Sequence, residues 1–222
     1  MKTNESAAVR RQRVAKIVKA LEKLFSKATI ALKFSSPWEL LVAVVLSAQN
    51  TDKKVNEVTE KLFQKYQTLE DYVKVSPKEF EQDLRSINYY KNKAKNILAA
   101  AKIVKERFGE TVPKTVAELI TLPGVGRKSA IVIQGTVYGF VEGVAVDTHV
   151  KRLCRKFGLT EYNTPEKIEK DLMELLPREE WKDFTYLMIE YGRQICPARK
   201  HDCKNHPLTK IYPAAAHIWP KP

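Results

Sequence analysis

Leu122-Pro-Gly-Val-Gly-Arg-Lys-Ser-Ala-Ile-Val-Ile133 decides the fold of this chain, and Asp147 follows nineteen positions after Lys128, within Val144-Ala-Val-Asp-Thr-His149. Gly124 and Gly126 carry no Cβ, so a turn through them can take positive φ and let its backbone approach a ligand closely. A helix-forming run opens directly behind that turn. Outward N–H groups at the start of a helix suit an anion such as a phosphate. Leu122, Gly124, Val125, Gly126 and Arg127 are therefore candidate contacts to a nucleic-acid backbone. Lys128 falls in the first turn of the helix, where the macrodipole disfavours a cation and is expected to lower its pKa. An amine that can lose its proton is a nucleophile. A phosphate cradle, a primed lysine and a later aspartate together point to covalent chemistry on a nucleic-acid sugar.

Composition agrees with such a partner. The chain has 222 residues, enough to bury a core in one domain or two small ones. With 39 Lys and Arg against 26 Asp and Glu, its formal charge is +13, which favours a polyanion. A hydrophobic content of 44% predicts a globular chain rather than a disordered one. Three cysteines (Cys154, Cys196, Cys203) are too few and odd in number for a disulfide framework, and fit a reducing compartment. No apolar run of roughly eighteen residues occurs, so no membrane span is expected. Arg10, Arg11, Arg13 and Lys16 make the N-terminus basic, but no signal-peptide apolar core follows them. A cytoplasmic, nucleoid-associated protein is the expectation.

Helix signals dominate. Ser36-Pro37-Trp38-Glu39 offers a cap, a proline at the first helical position and a capping-box glutamate, ahead of the apolar run Leu40 to Leu46. Ser76 with Glu79 and Thr115 with Glu118 repeat the box. Val55, Val58, Leu62 and Tyr66 mark one apolar face; Ala94, Ile97, Leu98, Ala101 and Val104 mark another, closed by Gly109. Trp181, Phe184, Leu187, Met188 and Tyr191 stripe the last long helix, as core packing does. About ten helices with short loops, and almost no strand signal, predict an all-α chain.

Three blocks resemble endonuclease III, of the helix-hairpin-helix DNA glycosylase superfamily: Lys33 to Asp52 (KFSSPWELLVAVVLSAQNTD), Leu122 to Ala130, and Val144 to His149. The resemblance runs from about Leu24 to Cys203. It implies a fold of two helical lobes with a DNA-binding cleft between them, one spanning residues 31–140 and the other joining residues 1–30 to 141–222. It implies an enzyme of base excision repair that removes oxidised pyrimidines and cuts the strand by β-elimination. The partner would be double-stranded DNA with a damaged or abasic site, bound by a monomer.

The same resemblance assigns roles. The family's nucleophile falls on Lys128, whose amine would attack the sugar C1′ and leave a Schiff base; a surface lysine on phosphate is the plainer alternative. The catalytic carboxylate falls on Asp147, which equally suits a helix N-cap. Gln49 matches a glutamine that fills the gap left by an extruded base, or is simply an exposed helix-end residue. Tyr89 stands where endonuclease III usually has a leucine wedge, and its ring can stack on the orphaned base or serve the core of its loop. His149 is a candidate contact to the DNA backbone, or a structural histidine. Arg85, Lys91, Lys93, Lys95, Lys102, Lys105 and Arg107, with Tyr89 and Tyr90 at their start, read as a basic face suited to a DNA groove.

One feature departs from the family. Endonuclease III usually ends in four cysteines that hold a [4Fe–4S] cluster, spaced C-x6-C-x2-C-x5-C. Here Cys196 and Cys203 keep the first interval, and His206 and Tyr212 stand in the last two places. No iron–sulfur cluster is expected. Zinc on Cys196, Cys203 and His206, with His201 as an outside ligand, is an irregular option; a metal-free loop packed by Ile211, Tyr212, Ile218, Trp219 and several prolines, Pro222 included, is preferred. Two other functions compete with the repair lyase. A mismatch glycosylase acting on G:T or G:U pairs often lacks the lysine at this place. A catalytically silent DNA-binding module needs neither Lys128 nor Asp147.

Overall fold

A computed structural model describes residues 5–220; Pro222 lies outside them. Twelve α-helices and two short 3-10 helices make up the regular structure of the described residues. The chain divides into two compact units, Met1–Ile30 with Gly143–Pro222, and Ala31–Glu142.

Helix α1 (Ala7–Leu24) belongs to the first unit. Ser6 caps it, and its buried face is Arg13, Val14, Ile17, Val18 and Leu21.

The second unit holds α2 (Pro37–Ser47), α3 (Asp52–Lys65), α4 (Leu69–Lys74), α5 (Pro77–Asp83), α6 (Tyr90–Phe108), α7 (Val116–Leu119) and α8 (Arg127–Tyr138). Helix α2 is buried throughout from Leu40 to Leu46, and α3, α6 and α8 pack around it. Ser36 Oγ accepts from the Glu39 N–H as the sequence predicts, but the Glu39 carboxylate accepts from Ser35 N–H rather than from Ser36. The full reciprocal box forms at Thr115 and Glu118, and also at Thr68 and Asp71. Trp38, Tyr66, Tyr72 and Phe80 pack at ring separations of 5.3–5.7 Å, edge-on except for the tilted Tyr66–Tyr72 pair, closing the core where α3, α4 and α5 meet. Gly109 ends α6 at φ +55°, a left-handed cap that costs glycine little.

The first unit resumes with α9 (Thr148–Lys156), α10 (Pro165–Leu175), α11 (Trp181–Gln194) and α12 (Pro207–Ile211). Phe184, Leu187, Met188 and Tyr191 of α11 face a core shared with α1, α9 and α10. Cys154 is wholly buried in that core, and burial pushes its thiol pKa up. Arg13 ties α1 to the end of α9: Nη1 donates to the Gly158 carbonyl at 2.8 Å, Nη2 pairs with Glu5, and the guanidinium lies 4.1 Å from the Tyr212 ring centre. Among the described residues, no helix is long and apolar enough to cross a membrane.

Candidate functional site

Helix α7, the turn Leu122–Gly126 and helix α8 build the hairpin. The two glycines do different things. Gly124 has φ +85°, and a Cβ there would stand 3.2 Å from Val45 and from Asn96, so both backbone and packing require glycine. Gly126 has φ −89° and caps α8; a Cβ on it meets no protein atom within 4 Å. Glycine at 126 therefore leaves space outside the protein, where backbone can approach a ligand. Leu122 and Val125 are buried and their N–H groups donate to the Leu119 and Leu122 carbonyls, so they hold the turn down rather than face a ligand. Arg127 and Lys128, the first two residues of α8, are exposed, and no side chain caps the helix. The leading N–H groups of a helix lack intrahelical acceptors and attract anions.

Asp147 caps α9. Its Oδ1 accepts from Val150 N–H at 2.8 Å, which leaves Oδ2 outside the cap. Two residues on, His149 is half-buried against Gly192 of α11; a Cβ at 192 would fall 2.5 Å from its Nδ1. That nitrogen is buried without a hydrogen-bond partner. Burial lowers the His149 pKa, opposed by Asp147 and Glu190 and assisted by Arg152 and Arg193.

Gln49 and Tyr89 both lie exposed on left-handed backbone, at φ +56° and +58°. Non-glycine residues hold that conformation only where their surroundings enforce it. The surroundings are a small polar network. Asn88 donates its side-chain amide to the Gln49 carbonyl at 2.7 Å and its backbone N–H to Asn50 Oδ1 at 3.1 Å. Asn50 Nδ2 turns back to the Leu46 and Ala48 carbonyls at the end of α2. Lys93 Nζ donates to the same two carbonyls, at 2.8 and 2.5 Å. The Gln49 and Tyr89 loops are thus one unit. Tyr89 is 67% exposed, which excludes a core role in its loop. Asn50 and Asn88 carry a weak sequence signal, being short amides beside helix ends; nothing local marks Lys93.

The basic run of α6 is not a single face. Lys93 is buried, and burial lowers its pKa. Lys105 is paired with Glu70. Exposed Lys91, Lys95 and Lys102 lie along an open groove whose floor includes Tyr72, Val75 and Leu98, and Arg107 is exposed at the end of the helix.

At the C-terminal end, Cys196, His201 and His206 bring donor atoms within 4.8 Å of one another. Cys203 lies outside this group, its Sγ near the Ala215 and Ala216 carbonyls at 4.0 and 3.9 Å. Tyr212 is held beneath Arg13. Two thiols, only one of them in the group, do not fit a four-thiolate [4Fe–4S] cluster.

Comparison with known proteins agrees with this architecture. Residues 42–178 match the model of the HhH-GPD superfamily base excision DNA repair proteins. The chain is 43% identical over 208 residues to the endonuclease III of a Synechocystis species, covering 94% of this chain and 95% of that protein. Two solved structures superpose on it. One is a non-covalent endonuclease III–DNA complex, with a TM-score of 0.88, 39% identity and 97% of each chain covered. The other is a trapped endonuclease III–DNA covalent intermediate, with a TM-score of 0.87, 40% identity, and 95% of this chain and 96% of that one covered. The chain therefore belongs to the HhH-GPD superfamily of base excision DNA repair proteins and, within it, to the endonuclease III family.

Proposed function

We propose that Lys128 performs the chemistry of this family here, on oxidised pyrimidines in duplex DNA. The protein is a base excision repair DNA glycosylase with associated AP lyase activity. The observation that carries the assignment to Lys128 is its position: an exposed amine in the first turn of α8, beside the open backbone at Gly126. In that reaction the amine forms a bond to C1′ as the glycosidic bond breaks and the base leaves with the electron pair. The sugar ring then opens, O4′ taking up a proton as the C1′–O4′ bond breaks, and the resulting iminium loses a C2′ proton and expels the 3′ phosphate, which cuts the strand. Water then releases the lysine. Asp147 supplies the carboxylate that accepts the amine's proton and offsets positive charge growing on the sugar. Gln49 and Tyr89 occupy the space of the extruded base and stack on its orphaned partner. The enzyme acts as a monomer at the nucleoid, where its substrate lies.

Borohydride reduction in the presence of abasic duplex should trap a covalent protein–DNA adduct. Lys128→Gln should abolish trapping and keep DNA affinity. Undiminished trapping by the variant would assign the nucleophile to another amine. Faster release of thymine opposite guanine than of an oxidised pyrimidine would move the substrate class to mismatched bases.

A further inference from the structure

We propose that Cys196, His201 and His206 form a mononuclear site for zinc or a similarly borderline-soft divalent cation, with a fourth position open to water. One thiolate and two imidazoles are a donor set that such ions favour. The orientation of the rings supports it independently of their spacing. His201 Nδ1 lies 2.7 Å from the Arg199 carbonyl, an acceptor, so the ring proton sits on Nδ1 and Nε2 carries the lone pair. That Nε2 is buried without a hydrogen-bond partner, and so is Nδ1 of His206. Each ring thus has one orphaned nitrogen, and one nitrogen of each lies within 4.8 Å of the other and of the buried Cys196 thiol. Unpaired buried polar atoms are costly, and a metal ion would satisfy them.

The surroundings allow an ion to enter and be held. His201 and His206 stack with ring centres 5.0 Å apart, and Trp219 closes edge-on over His201 at 4.9 Å. Residues 197–206 lie outside the helices. Bonds of about 2.0–2.3 Å draw the donors inward from their present spacing, by about an ångström at most, and a loop can supply that movement. An open cavity of about 420 Å³, lined by Lys200, His201, Asp202, Cys203, Lys204 and Trp219, brings solvent to the His201 side of the group. Arg152 Nη1 lies 4.0 Å from Cys196 Sγ. Its charge and that of buried Lys156 favour the thiolate a metal needs and also repel the ion; the Cys196 carbonyl, which accepts from Arg152 Nη2 at 2.6 Å, partly offsets the repulsion from Arg152. Binding displaces the Cys196 thiol proton to solvent. Such an ion would cross-link the end of α11, the 197–205 loop and the start of α12.

The test uses the full chain, stripped with chelator and titrated with cobalt(II) as a spectroscopic stand-in for zinc. One equivalent should bind, with a thiolate-to-metal charge-transfer band and tetrahedral d–d bands, and zinc should displace it. His201→Gln and His206→Gln should each weaken binding at least tenfold, while Cys203→Ser should leave it unchanged. X-ray absorption of the wild-type zinc protein should count one sulfur among the ligands, which keeps the proposal testable if a variant fails to fold. Absence of binding, two sulfur ligands, loss of the spectrum in Cys203→Ser, or a cluster of four irons taken up on reconstitution would each overturn the site.

Discussion

Asn88 donates its side-chain amide to the carbonyl of Gln49 at 2.7 Å, so two residues on separate loops are presented to solvent as one piece. The next residue, Tyr89, takes its left-handed backbone from the same joint. Substituting Asn88 by Ala removes one hydrogen bond, a loss of about 0.5–1.5 kcal/mol, or about threefold to tenfold in an equilibrium constant. We expect binding to duplex carrying a stable abasic analogue to weaken by that factor, with the melting temperature lowered by no more than about 2–6 °C. Equal affinity of the variant and the wild type would show that the two loops work without being joined.

Asp147 holds two roles that different substitutions separate. Asn keeps an oxygen able to accept from Val150 N–H at 2.8 Å, and only the charge is lost. Asp147→Asn should therefore retain stability while slowing base release by more than about tenfold, the scale of a lost acid–base group. Asp147→Ala loses the cap as well and should cost about 1 kcal/mol of stability. Wild-type turnover in the Asn variant would leave Asp147 as a cap alone.

His149 should make the protein acid-sensitive. Burial holds its folded-state pKa below the ordinary 6.5, against Asp147 and Glu190 and with Arg152 and Arg193. A histidine depressed in this way binds fewer protons folded than unfolded. Stability then rises with pH across the interval between the two pKa values, and is lost as pH falls below 6.5. Melting temperatures between pH 7.5 and about 5 should fall more steeply for the wild type than for His149→Gln. Parallel curves would place the acid sensitivity elsewhere.

The hairpin and the helix starts are legible in the sequence because their causes are local. A serine or threonine three residues before a carboxylate, or a glycine at a helix end, acts on its own neighbours. Gly124 and Gly126 read alike in sequence; only the approach of Val45 and Asn96 to Gly124 shows that one serves packing and the other leaves open space. Lys93 sits in a basic run and reads as surface. Its long stem carries the ammonium to the end of α2, a partner 45 residues away in sequence that no periodicity reveals. At the C-terminus, cysteine spacing draws attention to Cys203, yet the turn of the 197–205 loop brings His201 to Cys196 instead.

Lys156 gives the strongest reason to expect the C-terminal tail to be part of the fold. It is fully buried, and its Nζ donates to the Ile218 carbonyl at 2.7 Å while lying 3.8 Å from the Trp219 ring centre. Leu208 and Ala215 are fully buried in the same core, with Ile211 and Tyr212 packed at its edge. Truncation after Cys203 removes all of these. Losing a buried leucine costs about 2–5 kcal/mol, and losing a hydrogen bond made by a charged group costs about 1.5–3 kcal/mol. Together they approach the total stability of a typical domain, about 5–15 kcal/mol. The truncated chain should therefore lose the cooperative melting of the unit containing α9 and α11, and its DNA affinity with it. Leu208→Ala, a milder change, should lower the melting temperature and leave trapping of abasic DNA intact below it. A truncated protein that melts at the wild-type temperature would show that Lys156 finds other partners and that the tail does not hold the unit together.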